Sequence, residues 1–214
     1  MLADQPATAL IYARFLTEQG PTLAHPDDAP IVSRVLYEWA SFAGNPSPQS
    51  RAKLYAALQE RSRATGHDLI SARAAHALYA DAWTDADWTL VGNAALLAIR
   101  FIDEIGAGSS PARYELRRGL AVSSFMRGKT PEAYNAVYDV AAELYDQIAK
   151  TPEGAIRDRL AQEYFAAIAW GDALYSALGS KQKATPDRRD TLMSGKKPIA
   201  ELLYPAPGDP ALPR

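Results

Sequence analysis

Five Ser-Pro or Thr-Pro dipeptides divide this chain, at Ser47-Pro48, Ser110-Pro111, Thr130-Pro131, Thr151-Pro152 and Thr185-Pro186. A hydroxyl residue just before a helix can accept from the free backbone N–H groups of the first turn. A proline after it takes the first helical position, where its missing N–H costs nothing. The first four dipeptides each open an apolar segment with helical spacing, so they predict helix starts. Breakers such as Gly44-Asn45-Pro46 lie between the segments. The predicted helices cover residues 6–19, 30–43, 48–64, 68–83, 84–105, 111–127, 131–150 and 152–178. No segment shows the period-two alternation of a strand. The fold class is all-α, with about eight helices in antiparallel pairs.

Side-chain spacing adds detail. Ile31, Val35, Trp39 and Phe42 share one face of the second segment. Leu69, Ala72, His76, Tyr79 and Trp83 form a stripe on the fourth, beside a second strip of Ile70, Ala74 and Ala77. The fifth opens at Thr84, with Asp87 in the position of a capping-box partner. Several segments are apolar on two faces, which places a helix between two neighbours. The second helices of three pairs start at Pro48, Asp85 and Pro131, in steps of 37 and 46 residues. Helical solenoids repeat every ~34 to 47 residues.

The run Gly128-Lys129-Thr130-Pro131-Glu132-Ala133-Tyr134 resembles the turn and second-helix opening of a tetratricopeptide repeat, with Ala121 as the small residue of the first helix. Phe42-Ala43-Gly44-Asn45 is a looser echo. The resemblance spans residues 30–179, without the repeat's usual Trp-Leu-Gly opening and with irregular spacing. It implies a tetratricopeptide-like helical array; an orthogonal helical bundle is the alternative. Residues 1–179 read as a single helical domain. Residues 180–214, with prolines at 205, 207, 210 and 213, read as a poorly structured Pro-rich tail or linker.

Charge narrows the partners. The 214 residues carry a formal net charge of -2, which does not supply the basic face nucleic-acid binders use. Without cysteine there is no disulfide, thiolate metal site or cysteine nucleophile. The most apolar window, residues 165–178, contains Asp172 and is shorter than the ~20 residues that span a bilayer. Membrane insertion is therefore not expected. The opening residues lack a basic start and an unbroken apolar run. The default compartment is the cytoplasm, or the periplasm if a signal peptide has been removed.

Two short motifs resemble metal sites. Ala24-His25-Pro26-Asp27-Asp28 resembles the zinc-binding start of the LmbE-like N-acetylglucosaminyl deacetylases, but Ala29 stands where that family has Glu and no strand precedes it. The structural alternative is that Asp27 or Asp28 caps the helix opening at Pro30. His67-Asp68 resembles the HD-domain phosphohydrolases, which implies a divalent metal held by His25, His67, Asp68 and Asp103. The alternative is a helix start where Asp68 favours the helix dipole. No Ser-His-Asp set or Gly-rich phosphate loop assembles, so a non-enzymatic role is the expectation, with no metal and no cofactor.

The functional reading is a non-catalytic scaffold that binds a protein or peptide in a groove, or a second copy of itself. The candidate contacts are Arg34, Arg73, His76, Arg117 and Arg118, the arginines holding carboxylates by charge-assisted bonds. His76 on its apolar stripe reads first as a core histidine with one partner. An HD-type phosphohydrolase and an accessory domain of a longer protein are the other readings.

Overall fold

The Ser47 hydroxyl accepts from the Ser50 N–H at 3.1 Å, and the Ser50 hydroxyl accepts from the Ser47 N–H at 2.9 Å. Thr130 Oγ1 accepts from the Ala133 N–H at 3.3 Å. These bonds satisfy free donors at two helix starts, each worth about 1 kcal/mol. The computed structural model describes residues 29–64, 69–128, 130–178, 194 and 196–203. Among the described residues the chain is all-α. Its helices are α1 (Ala29–Gly44), α2 (Pro48–Arg61), α3 (Leu69–Thr84), α4 (Trp88–Glu104), α5 (Pro111–Gly128), α6 (Pro131–Lys150), α7 (Ala155–Ala177) and the short α8 (Ile199–Leu203). The predicted helix over residues 6–19 and the dipeptide Thr185-Pro186 lie outside the described residues.

Two hydroxyls work the opposite way from the sequence expectation. Thr151 Oγ1 donates to the Gln147 carbonyl at 2.7 Å, so it closes α6 instead of opening the next helix. The helix then begins at Ala155, after Gly154 turns the chain at φ 140. Thr84 Oγ1 likewise donates back to the Ala80 carbonyl and belongs to α3. Ala86, at φ 55, turns the chain, and Asp87 caps α4 by accepting from the Leu90 N–H at 3.0 Å. A Ser or Thr at a helix end can bond the carbonyl four residues back as readily as an amide ahead.

Two compact units divide the chain, residues 1–108 and 109–214. In the first, α1 packs on α2, both touch α3, and α3 and α4 share the most extensive contact. Ala74, Ala75 and Ala82 on α3 and Gly92, Ala94, Ala95 and Ala98 on α4 are buried. Small side chains let two helix axes approach closely. The buried face of α3 runs through Ser71, Ala75, Leu78 and Ala82, which leaves Leu69, first in the predicted stripe, half exposed. In the second unit α5, α6 and α7 pack mutually, and α8 touches α6. Gly171 of α7 lies directly against the Tyr138 ring of α6: a Cβ there would sit 2.5 Å from Tyr138 Cζ.

The first helix pair of each unit follows one register. Pro131 lies 83 residues after Pro48, as Thr130 does after Ser47. The buried set repeats at the same offset: Trp39 and Val122, Phe42 and Phe125, Leu54 and Val137, Ala57 and Val140, Leu58 and Ala141. Arg34 of α1 pairs with Glu60 of α2, and Arg117 of α5 pairs with Glu143 of α6, again 83 residues on. The α1–α2 and α5–α6 pairs are thus two versions of one helical hairpin with a common core pattern and a common surface tie. Within each unit the successive long helices pack on their neighbours, and one hairpin pattern occurs in both units, which is consistent with a helical-repeat arrangement.

Candidate functional site

Arg34 and Arg73 stand exposed on α1 and α3 of the first unit. The guanidinium of Arg34 is engaged by Glu60. His76 is half-buried three residues after Arg73, and its ring centroid lies 5.9 Å from that of Tyr79. The aromatic run continues from Tyr79 to Trp83 at 5.8 Å and from Trp83 to Trp88 of α4 at 5.4 Å, edge to face. Such pairs add ~0.5–1.5 kcal/mol each beyond the area they bury. His76 is therefore a member of a packed aromatic ladder.

Arg117 and Arg118 are neighbours on α5, but about 100° of helical turn separates them, so they face different helices. Arg117 takes both carboxylate oxygens of Glu143, with Nη2 at 2.7 Å from Oε1. That bidentate bond holds the Glu143 carboxyl below its ordinary range and raises the guanidinium's affinity for its proton. Arg118, 9% exposed, donates to Glu163 of α7 at 3.0 Å. Three of the five candidate contacts are thus committed to carboxylates of their own unit. Arg34, Arg73 and His76 belong to one unit, and Arg117 and Arg118 to the other.

Of the residues that resemble an HD-type metal set, only Asp103 is described, exposed near the end of α4. His25, His67 and Asp68, like the His25-Pro26-Asp27-Asp28 motif, lie outside the described residues. Among the described residues no three His, Asp or Glu side chains gather as metal ligands. Nor is any described helix long and apolar enough to cross a membrane.

The outward face of α7 carries a feature that the spacing of candidate charges did not reveal. Phe165, Ala169 and Ala173 recur at steps of four residues and are all exposed, with Phe165 at 51%. Ala166 and Trp170 flank them, half-buried. The inward face is a separate set, with Leu160, Tyr164, Ala167, Gly171 and Leu174 buried. The helix carries no charge from Tyr164 to Gly171. Asp172, at the edge of the face, accepts from Tyr138 Oη at 2.7 Å. The signal was present in the sequence as an excess: α7 has more apolar positions than one buried face requires.

Fold and surface together define an all-α protein of sequentially packed helix pairs with an apolar outward helix face. Comparison with protein-family models, with curated proteins and with solved structures finds no match to this chain.

Proposed function

We propose that this protein is a non-catalytic binding scaffold, and that the outward face of α7 is where a protein partner docks. The observation that carries the reading is the uncharged strip of Phe165, Ala166, Ala169, Trp170 and Ala173, exposed or half-exposed along more than two turns of a helix whose other side is packed. Isolated exposed apolar residues are ordinary, but a contiguous apolar patch marks an interaction surface. Phe165 and Trp170 supply aromatic area, and the alanines between them let another helix approach closely. The recurring hairpin supports the tetratricopeptide-like reading, since helical repeats present helix faces to partners. It also moves the expected contact from the candidate arginines, three of which are paired within the chain, to an apolar face.

The test is affinity capture from native cells with the unmodified chain and with Phe165→Asp/Ala169→Glu, compared by quantitative mass spectrometry. Both positions are exposed, so the far-UV circular dichroism should not change. One partner, or a second copy of the chain, should fall at least about tenfold. An unchanged set of captured proteins with an intact fold would overturn the proposal.

A further inference from the structure

Residues 196–203 lie on a seat built by α6 and α7, and the contacts resemble those of a bound peptide. The Tyr145 hydroxyl donates to the Lys197 carbonyl at 2.9 Å. Arg157 Nη2 donates to the Leu202 carbonyl. Lys196 Nζ pairs with Asp146 and stands 4.5 Å from the centroid of the Tyr145 ring. The Glu201 N–H bonds the Pro198 carbonyl at 2.9 Å and closes a helical turn between the two anchor points. Two of these contacts take main-chain carbonyls, which any peptide of the same shape offers. Side-chain selection therefore falls on the lysine, held between an aromatic face and a carboxylate.

Arg157 is the telling residue. It is only 7% exposed, yet its close partner is a neutral carbonyl. Its Nε is buried and makes no hydrogen bond, and the nearest carboxylate, exposed Glu153, stands 3.7 Å from Nη1. A buried guanidinium is best satisfied by two carboxylate oxygens on parallel N–H groups. The seat is thus complete for a lysine at one end and incomplete for an anion at the other, six residues further along the bound segment.

We propose that this seat is a peptide-binding site for a short segment that opens on lysine and carries a carboxylate six residues later, and that residues 196–203 are its self-ligand. In the isolated chain the seat is filled by a segment that offers a carbonyl at that position. A competing peptide with a carboxylate there gains the second bond to Arg157 and displaces it. The proposal shares the binding-scaffold reading only in kind. None of its contact residues belongs to the apolar strip of α7, so either can fail without the other.

The probe is the synthetic peptide Lys-Lys-Pro-Ile-Ala-Glu-Leu, the sequence of residues 196–202, with a free C-terminal carboxylate or with an amide. Binding is read by fluorescence polarisation on the full chain and on full-length Lys196→Glu, whose self-ligand is repelled by Asp146. A tethered ligand competes at an effective concentration on the order of a millimolar, which masks the seat by roughly tenfold. The free acid should bind the Lys196→Glu chain about tenfold more tightly than the unmodified chain, and at least about tenfold more tightly than the amide. Arg157→Lys, which keeps the charge but loses the fork, should bring acid and amide together. Phe165→Asp should leave all of these affinities unchanged. Absence of binding to the Lys196→Glu chain would overturn the site, and equal affinity of acid and amide would overturn its anion preference.

Discussion

Gly171→Ala is expected to destabilise the second unit, although alanine is the better helix former by about 1 kcal/mol. The reason is the Tyr138 ring. A Cβ at 171 would lie 2.5, 2.7 and 2.9 Å from three of its atoms, where ordinary contact begins at 3.4 Å. The ring must retreat by close to an ångström, and it is only 2% exposed, with its hydroxyl fixed on Asp172. Overpacking of this kind costs typically ~1–3 kcal/mol, and a displaced hydrogen bond about 1 more. After the propensity gain, the net loss should be about 2 kcal/mol. The assay is urea unfolding by far-UV circular dichroism, with Tyr138→Leu as the second arm of a double-mutant cycle. Leucine lacks the clashing ring atoms, so in that background Gly171→Ala should be neutral or stabilising by up to about 1 kcal/mol. A neutral or stabilising Gly171→Ala with Tyr138 intact would refute the reasoning.

Three further outcomes follow from the same contacts. Ser47→Ala removes the acceptor of the Ser50 N–H, leaves the Ser47 N–H bonded to the Ser50 hydroxyl, and should cost about 1 kcal/mol, read from the shift in urea midpoint. Glu163→Leu takes a carboxylate away from the nearly buried Arg118 and should cost up to ~3 kcal/mol, whereas Arg118→Met/Glu163→Leu together should recover most of that loss. The depressed Glu143 carboxyl contributes stability that is present above its unfolded value, near pH ~4.3, and is lost as pH falls through its lower folded value. Because Glu143 is 48% exposed, Arg117→Gln should remove no more than about 1 kcal/mol of this acid dependence in unfolding curves taken from pH 7 to pH 3.

The helices were legible where the information is local. Ser47 and Thr130 bond the amide three residues ahead, and both starts fall at the proline the sequence marks. Thr151 precedes a proline as they do, and Thr84 stands at the head of a predicted segment, but both donate backwards, and Gly154 and Ala86 supply the turns that follow them. Distance in sequence hid the rest. The partners of Arg34 and Arg117 each lie 26 residues away, and that of Arg118 lies 45 away. A pattern of arginines therefore read as free contacts until the hairpins closed and paired them. The closest repeat is the offset of 83 residues between Pro48 and Pro131, whereas the sequence suggested separate steps of 37 and 46. Asp87 caps the second helix of a pair as Ser47 and Thr130 do, but the buried positions of its hairpin are rich in alanine and glycine, unlike the Trp39–Phe42 type of core. The α7 strip escaped notice because alanine and phenylalanine are what a core helix also shows; only the packing separates the inward set from the outward one.

The most direct measurement of partner docking is a site-specific photocrosslink from α7. A benzoylphenylalanine placed at position 165, and separately at Asp103 on the first unit, is activated in native cells and the adducts are resolved by mass. One discrete adduct from position 165, absent from position 103 and lost when Ala169→Glu is added to the same chain, is the expected result. No adduct from position 165, or one that persists unchanged with Ala169→Glu, would contradict it.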